Sequence, residues 1–273
     1  MTPLGNLDDL SPRARAAIAG SRLVACEDTR RTAKLLARFA LHVPMLALHK
    51  FSERDRLDEV LEVLRDGGDV ALVSDGGTPA ISDPGALLVA EAHAAGIPVS
   101  PVPGPSAVVA LLSASGLPAD RFVFEGFLPH RAGERRKRLR ELAVEPRTWV
   151  VYEAPHRVRK TLDDFEEILG ARSIVLGREL TKIHETILRG SPAKVRTALG
   201  DGEIRGEIVV AIAGFDAGAA LPSESDDPLR VAWSDALEAA GGDSRDALKR
   251  AGKALCLKKA ELWRRLVERG LVS

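Results

Sequence analysis

Through the first half of the chain, short apolar runs alternate with helical patterns, and this alternation restricts the fold more than any other feature of the sequence. Arg22–Cys26, Met45–Leu48, Val70–Val73 and Pro98–Val102 read as strands. Helices are predicted from about Thr32 to Phe39, over residues 85–95, and from Ser52, which with Asp55 resembles a capping box, to about Arg65. Strands spaced by helices need crossover connections, which give a parallel sheet covered on both faces. A doubly wound α/β domain is therefore expected over residues 1–115.

Two loops of this domain carry groups suited to a ligand. The run Val70–Val73 passes through Ser74-Asp-Gly-Gly-Thr-Pro79 into a helix for which Asp83 and Pro84 supply an N-cap and a first helical residue. Gly76 and Gly77 let the backbone turn sharply and lie against a ligand, while Asp75 and Thr78 add an acceptor and a hydroxyl. The second loop, Pro103-Gly-Pro-Ser-Ala107, places the small residues Ser106 and Ala107 at a helix start, where free N–H groups suit a carboxylate or hydroxyl acceptor. In open α/β sheets, loops leaving the carboxyl ends of strands line the ligand crevice. Neither loop has the G-x-G-x-x-G or Walker spacing, which disfavours a dinucleotide or nucleotide phosphate. Taken alone, each reads equally well as a tight connection without a ligand.

Residues 116–215 fit a second α/β domain. Arg121–Glu125, Thr148–Tyr152, Ser173–Leu176, Glu185–Leu188 and Glu207–Ala213 are strand candidates, and Thr161–Leu169 and Pro192–Leu199 are helical. The hairpin-like spacing near residues 176–188 implies a mixed sheet. Between the first two strands, Arg131–Arg140 carries six cations in ten residues. Arg131, Arg135, Arg136, Lys137 and Arg138 are candidates for RNA phosphates, although such a run also reads as a solvated helix face. Lys plus Arg equals Asp plus Glu at 39 each, so any nucleic-acid surface is a local patch.

From Phe215 to Pro228 the composition is that of a linker, and residues 228–273 hold three short helical patterns. Ala247, Leu248, Ala251, Ala254 and Leu255 recur at helical spacing, followed by Leu262, Trp263, Leu266 and Val267. The shape is a compact helix-turn-helix, with Lys258 and Lys259 as further RNA candidates beside Arg264 and Arg265. No apolar run approaches the length of a membrane span, the first residues lack a secretory signal, and Cys26 and Cys256 have neither zinc nor redox spacing. A cytoplasmic enzyme is expected.

Six motifs occur together in one order: Thr2-Pro-Leu-Gly-Asn-Leu7, Ala25-Cys-Glu-Asp-Thr-Arg30, Ser74–Pro79 with Ile81–Gly85, Pro103–Ala107, Phe124-Glu-Gly-Phe-Leu128 and Tyr152-Glu-Ala-Pro-His-Arg157. In this order the chain resembles the 16S rRNA cytidine-2′-O-methyltransferases, a branch of the tetrapyrrole methylase superfamily. The resemblance spans nearly the whole chain. It implies a parallel-sheet and a mixed-sheet α/β domain with S-adenosyl-L-methionine between them, and a small C-terminal helical domain. It further implies methylation of a cytidine 2′-oxygen in the decoding region of 16S rRNA, free or within the small ribosomal subunit, by a homodimer. Carried over by position, the donor site comprises Gly76, Gly77, Thr78, Pro79, Ile81, Ser106, Ala107, Tyr152, Glu153, Gly206 and Glu207. The resemblance also implies a strand ahead of Thr2. The chain as given starts within the following loop, as a start codon assigned too far downstream would leave it.

Methyl transfer to a ribose hydroxyl benefits from removal of its proton as the new bond forms. Lys182 and Glu185, in the polar stretch Arg178–Glu185, and Glu27 and Asp28 in the first domain are the candidates for orienting or deprotonating it. Each also reads as one member of an ion-pair set joining the domains. Two other functions remain open. A methylase of corrin or porphyrin precursors would share the donor site but have little use for the basic run, and a non-enzymatic nucleic-acid binder would leave the glycine loops unexplained.

Overall fold

The computed structural model describes residues 1–49, 53–216, 228–241, 243–254, 257, 259–268 and 271–272. Ser52, Cys256 and Lys258 lie outside the described residues. Met1–Phe215 form one compact unit and Asp216–Ser273 a second.

The first sheet is built on β1 (Leu23–Cys26), with β2 (Met45–Ala47) and β3 (Val70–Val73) parallel on either side in the order β2-β1-β3. In register, Val24 faces Met45 and Ala71. Val24, Ala25 and Cys26 are fully buried because helices cover both faces. Val24 and Cys26 pack with Ile18 of α1 (Pro12–Gly20) and Leu36 of α2 (Thr29–Arg38). Ala25 meets Val60 of α3 (Glu53–Arg65) and Leu88 of α4 (Ala86–Ala94). The expected strand at Pro98–Val102 is absent. Pro98 and Pro101 have no N–H to give a ladder, so the segment runs as irregular chain. A cavity of about 720 Å³ separates it from β3.

The start of the chain is tied to the loop after β3. Thr2 and Gly77 exchange both backbone hydrogen bonds, at 2.8 and 2.9 Å, and the buried Thr2 hydroxyl donates to the Ser74 carbonyl. The capping of α4 departs from the sequence expectation. Its N-cap is Gly85, at φ +119°, and not Asp83. The cap acceptor comes from another helix: buried Glu53 of α3 takes the N–H groups of Gly85 and Leu88 at 3.1 and 3.0 Å.

After α5 (Ala107–Ser115), the second sheet takes five strands in the order β4-β5-β8-β6-β7: β4 (Phe122–Phe127), β5 (Thr148–Glu153), β6 (Ile174–Arg178), β7 (Thr186–Gly190) and β8 (Ile208–Ile212). Only β4 and β5 are parallel, and a register shift between Phe124 and Gly126 bends β4. The sheet is therefore mixed, as the hairpin spacing requires. Alternation assigns its two faces. Trp149, Val151, Ile208, Val210 and Ile212 pack with Leu139 of α6 (Ala132–Leu142), Phe165 of α7 (Val158–Leu169) and Val195 of α8 (Pro192–Ala198). Val150, Val209 and Ala211 face the other way, onto Val108, Leu111 and Leu112 of α5.

In the second unit, α9 (Pro228–Ala239), α10 (Ser244–Ala254) and α11 (Lys259–Glu268) share a core of Trp233, Ala247, Leu248, Ala251, Leu262 and Leu266. Leu262 and Leu266, four apart, are fully buried, whereas Trp263 and Val267 are 40% and 46% exposed. Among the described residues no helix is long and apolar enough to cross a membrane.

Candidate active site

The carboxyl ends of β1, β3, β4 and β5 and the amino end of antiparallel β8 converge on a cavity of about 380 Å³, within the size of small-molecule sites. Gly76, Gly77, Thr78, Ile81, Ser106, Ala107, Tyr152, Glu153, Gly206, Glu207 and Glu27 line it, so segments up to 180 residues apart in the sequence meet as expected. Pro79 borders the larger cavity beside β3 instead. Asp28, Lys182 and Glu185 are not in the wall. Leu4, Arg31, Asp75, Asp83, Phe127, Leu180 and Val209 are, and of these only Asp75 was read from the sequence as a group suited to a ligand.

Several predicted residues also hold the site together. Gly77 has φ +84°, and a Cβ there would lie 3.1 Å from the Leu4 side chain and 3.5 Å from the Pro105 carbonyl. Glycine is thus needed for the turn and for packing two loops together. The Thr78 hydroxyl donates to the Pro105 carbonyl at 3.2 Å and joins the same two loops. Glu153 is buried, and its carboxylate accepts from Thr161 at 2.6 Å, the Ala154 N–H at 2.7 Å and Arg157 at 3.1 Å. Its charge is spent on the turn into α7. Ser106, the N-cap of α5, makes no side-chain cap bond, which leaves first-turn N–H groups beside the cavity for an acceptor.

Two short loops present apolar side chains from an unusual backbone. Ala80 and Ser82 flank Ile81 at φ +66°, and Glu179 and Thr181 flank Leu180 at φ +53° and +67°. Left-handed non-glycine residues cost about 1 kcal/mol or more each and persist where surrounding contacts fix them. Here the Thr181 hydroxyl accepts from the Asn6 N–H and the Thr181 N–H donates to Glu185 at 2.6 Å. Gly206, at φ +92°, gives up a Cβ that would collide with the Glu179 carboxylate. That carboxylate then reaches the Glu207 N–H at 3.0 Å and the Lys182 ammonium at 2.7 Å.

The wall is acidic. Burial, and then the charge of Asp75, push the Glu27 carboxyl above its ordinary range, against the pull of Arg31 and His49. Asp83 is pushed up to about 6, by burial first and then by Glu27, Asp75 and Glu207, with the Ser74 hydroxyl acting in the opposite direction. Tyr152 is pushed up to about 12 by burial and by the charges of Asp83 and Glu207, so its hydroxyl stays a hydrogen-bond donor. Its ring meets Phe124 edge-on at 4.9 Å and Phe127 at 5.6 Å, and the Phe127 ring is half exposed at the rim.

Three of the four predicted proton-handling residues are otherwise engaged. Asp28 N-caps α2 and binds Arg30 through both oxygens, which holds its carboxyl far below the usual range. Burial disfavours the Lys182 ammonium, but its bonds to Glu179 and Glu207 prevail and raise its pKa, so it stays charged. Glu185 closes its own loop onto Thr181. Only Glu27 faces the cavity.

The basic run of α6 is also largely engaged. Arg135 is 5% exposed and its guanidinium binds Asp164 at 2.6 Å, so it has no face for a phosphate. The reason was visible in the sequence: Arg135 stands one turn before the core residue Leu139, on the apolar stripe. Arg136 shares Asp164 and reaches Glu167, Arg138 grips Glu125 at 2.6 and 2.8 Å, and Arg131 pairs with Glu134. Among the described residues, Lys137 and Arg140 are exposed on this helix without an ion-pair partner.

A methylase-like architecture, with a parallel sheet, a mixed sheet and one cleft between them, is what this geometry defines. Residues 2–195 match the family model described as Tetrapyrrole (Corrin/Porphyrin) Methylases, and the chain belongs to that family. It is 51% identical over 78% of its length to the ribosomal RNA small subunit methyltransferase I of Xylella fastidiosa strain Temecula1, covering 79% of that protein. It is 48% identical over 84% to the protein of the same name from Pseudomonas aeruginosa, covering 83%. Among solved structures, the methyltransferase CobJ superposes with a TM-score of 0.58 at 21% identity, over 78% of this chain and 91% of that one. Uroporphyrin-III C-methyl transferase from Thermus thermophilus, complexed with S-adenyl homocysteine, gives 0.53 at 20%, over 77% and 94%. At those identities the structures bear on the fold alone.

Proposed function

We propose that this chain transfers the methyl group of S-adenosyl-L-methionine to the 2′-oxygen of a cytidine in the decoding region of 16S rRNA. The observation that carries this reading is an acid-walled, aromatic-rimmed cavity at the converging strand ends of a chain about half identical to ribosomal RNA small subunit methyltransferases I. The residues fit the donor. Carboxylates at Glu27, Asp75 and Glu207 suit a cationic substrate, Phe127, Tyr152, Leu180 and Ile81 offer apolar cover to a heterocycle, and the uncapped start of α5 takes an acceptor group. When bound, the donor supplies an activated methyl group. The chain's own part is to orient it, exclude water and place the acceptor oxygen in line.

Lys182 acts by pinning Glu207 and Glu179 at the cavity edge. For RNA, the reading rests on Arg131 at the N-cap of α6 and Lys137 and Arg140 within it, with Arg136 and Arg138 at its flank, and on Lys259 of α11. We further read residues 1–115 and 116–215 as the two halves of the donor cleft, and the working species as a cytoplasmic homodimer. The decisive experiment offers labelled donor to the protein with small ribosomal subunits, naked 16S rRNA or a corrinoid precursor. Label on one cytidine of the RNA supports the proposal, and label only on the corrinoid overturns it. Sedimentation at micromolar concentration giving a mass near 29.2 kDa would reject the dimer.

A further inference from the structure

The cavity has four carboxylates, and they differ in what faces them. Asp75 accepts the Asp28 N–H at 3.1 Å and pairs with Arg31 at 3.3 Å. Glu207 is largely exposed and pairs with Lys182 at 3.1 Å. Glu27 lies near Arg31 and His49. Asp83 has no cationic partner among the described residues. The groups that face it are the carboxylates of Glu27 from the β1 loop, Asp75 from the β3 loop and Glu207 from the β8 approach, together with the hydroxyls of Ser74 and Tyr152.

Asp83 is also free of the local duty that its position suggests. An aspartate followed by proline at a helix start ordinarily caps the helix, but Glu53 of α3 has taken those N–H groups. The segment ahead of it is docked onto the second sheet. Ser82 lies against Gly126, at the bulge of β4, with its Oγ 3.3 Å from where a Cβ would stand. Asp83 therefore sits at the seam between the two halves, on the wall of the cavity, with its carboxylate neither capping nor paired.

We propose that Asp83 is the general base that takes the proton of the acceptor hydroxyl, a role that rests on the ribose-methylation reading above. As the oxygen's electron pair forms the new O–CH3 bond, the S–CH3 bond of the sulfonium substrate breaks and its electrons return to sulfur. The hydroxyl proton passes to the Asp83 carboxylate and then to water. The products are a methyl ether, a neutral thioether and one proton. A base for this step must be ionised at neutral pH yet gain by protonation, and a carboxylate crowded by three others meets both conditions. Glu27 serves it from a distance, because its charge keeps Asp83 basic.

The test compares wild type with Asp83→Asn, Asp83→Glu and Glu27→Gln. Single-turnover methylation of the RNA substrate is measured at saturating donor and RNA from pH 5 to 8.5, with donor and RNA affinities measured separately. The wild-type rate should rise with pH, pass half-maximum near 6 and level off above about pH 7. Asp83→Asn should lower it by about 100-fold or more, flatten the profile and leave both affinities within about twofold, with partial recovery in Asp83→Glu. A second readout needs no turnover. In donor-free protein labelled at aspartate carboxyl carbons, one resonance should titrate near 6, vanish in Asp83→Asn and move to lower pH in Glu27→Gln. Normal turnover in Asp83→Asn, or a flattened profile in Glu27→Gln alone, would overturn the assignment and leave ribose methylation standing. Wild-type protein that binds donor but labels neither RNA nor subunits would overturn both.

Discussion

Helix α6 and the wall of the cavity each gather charge of one sign, and they dispose of it differently. The cations of α6 and its N-cap are close neighbours in sequence, yet Arg131, Arg135, Arg136 and Arg138 each find a carboxylate, one of them inside the core. The acids of the cavity come from positions 27, 75, 83 and 207, and at Asp83 nothing cancels them. Charges that are neighbours in sequence lie on a helix surface where partners can be supplied within a turn or from the next helix. Of the charges brought together by strand ends, Asp75 and Glu207 are paired but Asp83 is not, and the repulsion it feels is retained in the folded state. A run of like charges is thus a weak pointer to function, and convergence of distant like charges is a stronger one.

The largest effect that would sharpen this contrast is at Asp164, which holds Arg135 and Arg136 together. Asp164→Ala should cost about 3–5 kcal/mol in denaturant unfolding, because it strands a buried guanidinium. A loss below about 1 kcal/mol would mean that the basic run is not neutralised from within. Removing charge from the cavity should do the reverse. The carboxyl of Asp83 is raised from 3.8 to about 6 on folding, so the folded state binds the extra proton and stability falls as pH rises through that window. Asp83→Asn should therefore stabilise the protein at pH 7.5 by about 1 kcal/mol once solvent screening is allowed for, or roughly 2–4 °C in Tm, and by almost nothing at pH 4. An unchanged Tm at both pH values would show that the four acids do not feel one another.

A smaller effect separates the two kinds of cation on α6. Replacing Lys137 and Arg140 by Gln should lower RNA affinity and reduce its salt dependence by about 1.5 in log–log slope, with stability unchanged. Equal loss on replacing Arg138, which is held by Glu125, would erase the distinction between engaged and free cations. Smallest of all, Arg131→Gln should change stability by no more than about 0.5 kcal/mol, as suits an exposed pair.

Much of the frame was legible because it depends on local signals. Apolar runs marked all eight strands of the two sheets, and glycine and proline marked the loops that reach the cavity. The errors arose where a distant residue displaced a local rule. Asp83 read as a cap because Asp-Pro does so on its own, and only the fold brings Glu53 to the same N–H groups. Glu153 does line the cavity, while its oxygens go to Arg157, one helical turn on, and to Thr161. Pro98–Val102 had the hydrophobicity of a strand but too few N–H groups to be one.

The cavity floor is laid by β5 and β8, whose pairing sets Tyr152 opposite Val209 and Glu153 opposite Ile208 in the interior of a five-stranded sheet. Amides there are bonded within the interior of the sheet and should exchange with solvent only through global opening, while those of residues 80–82 and 179–181 exchange by local opening. Substrate entry and product release would then be matters of the rim alone. The floor would keep time with unfolding of the whole unit, orders of magnitude slower than turnover.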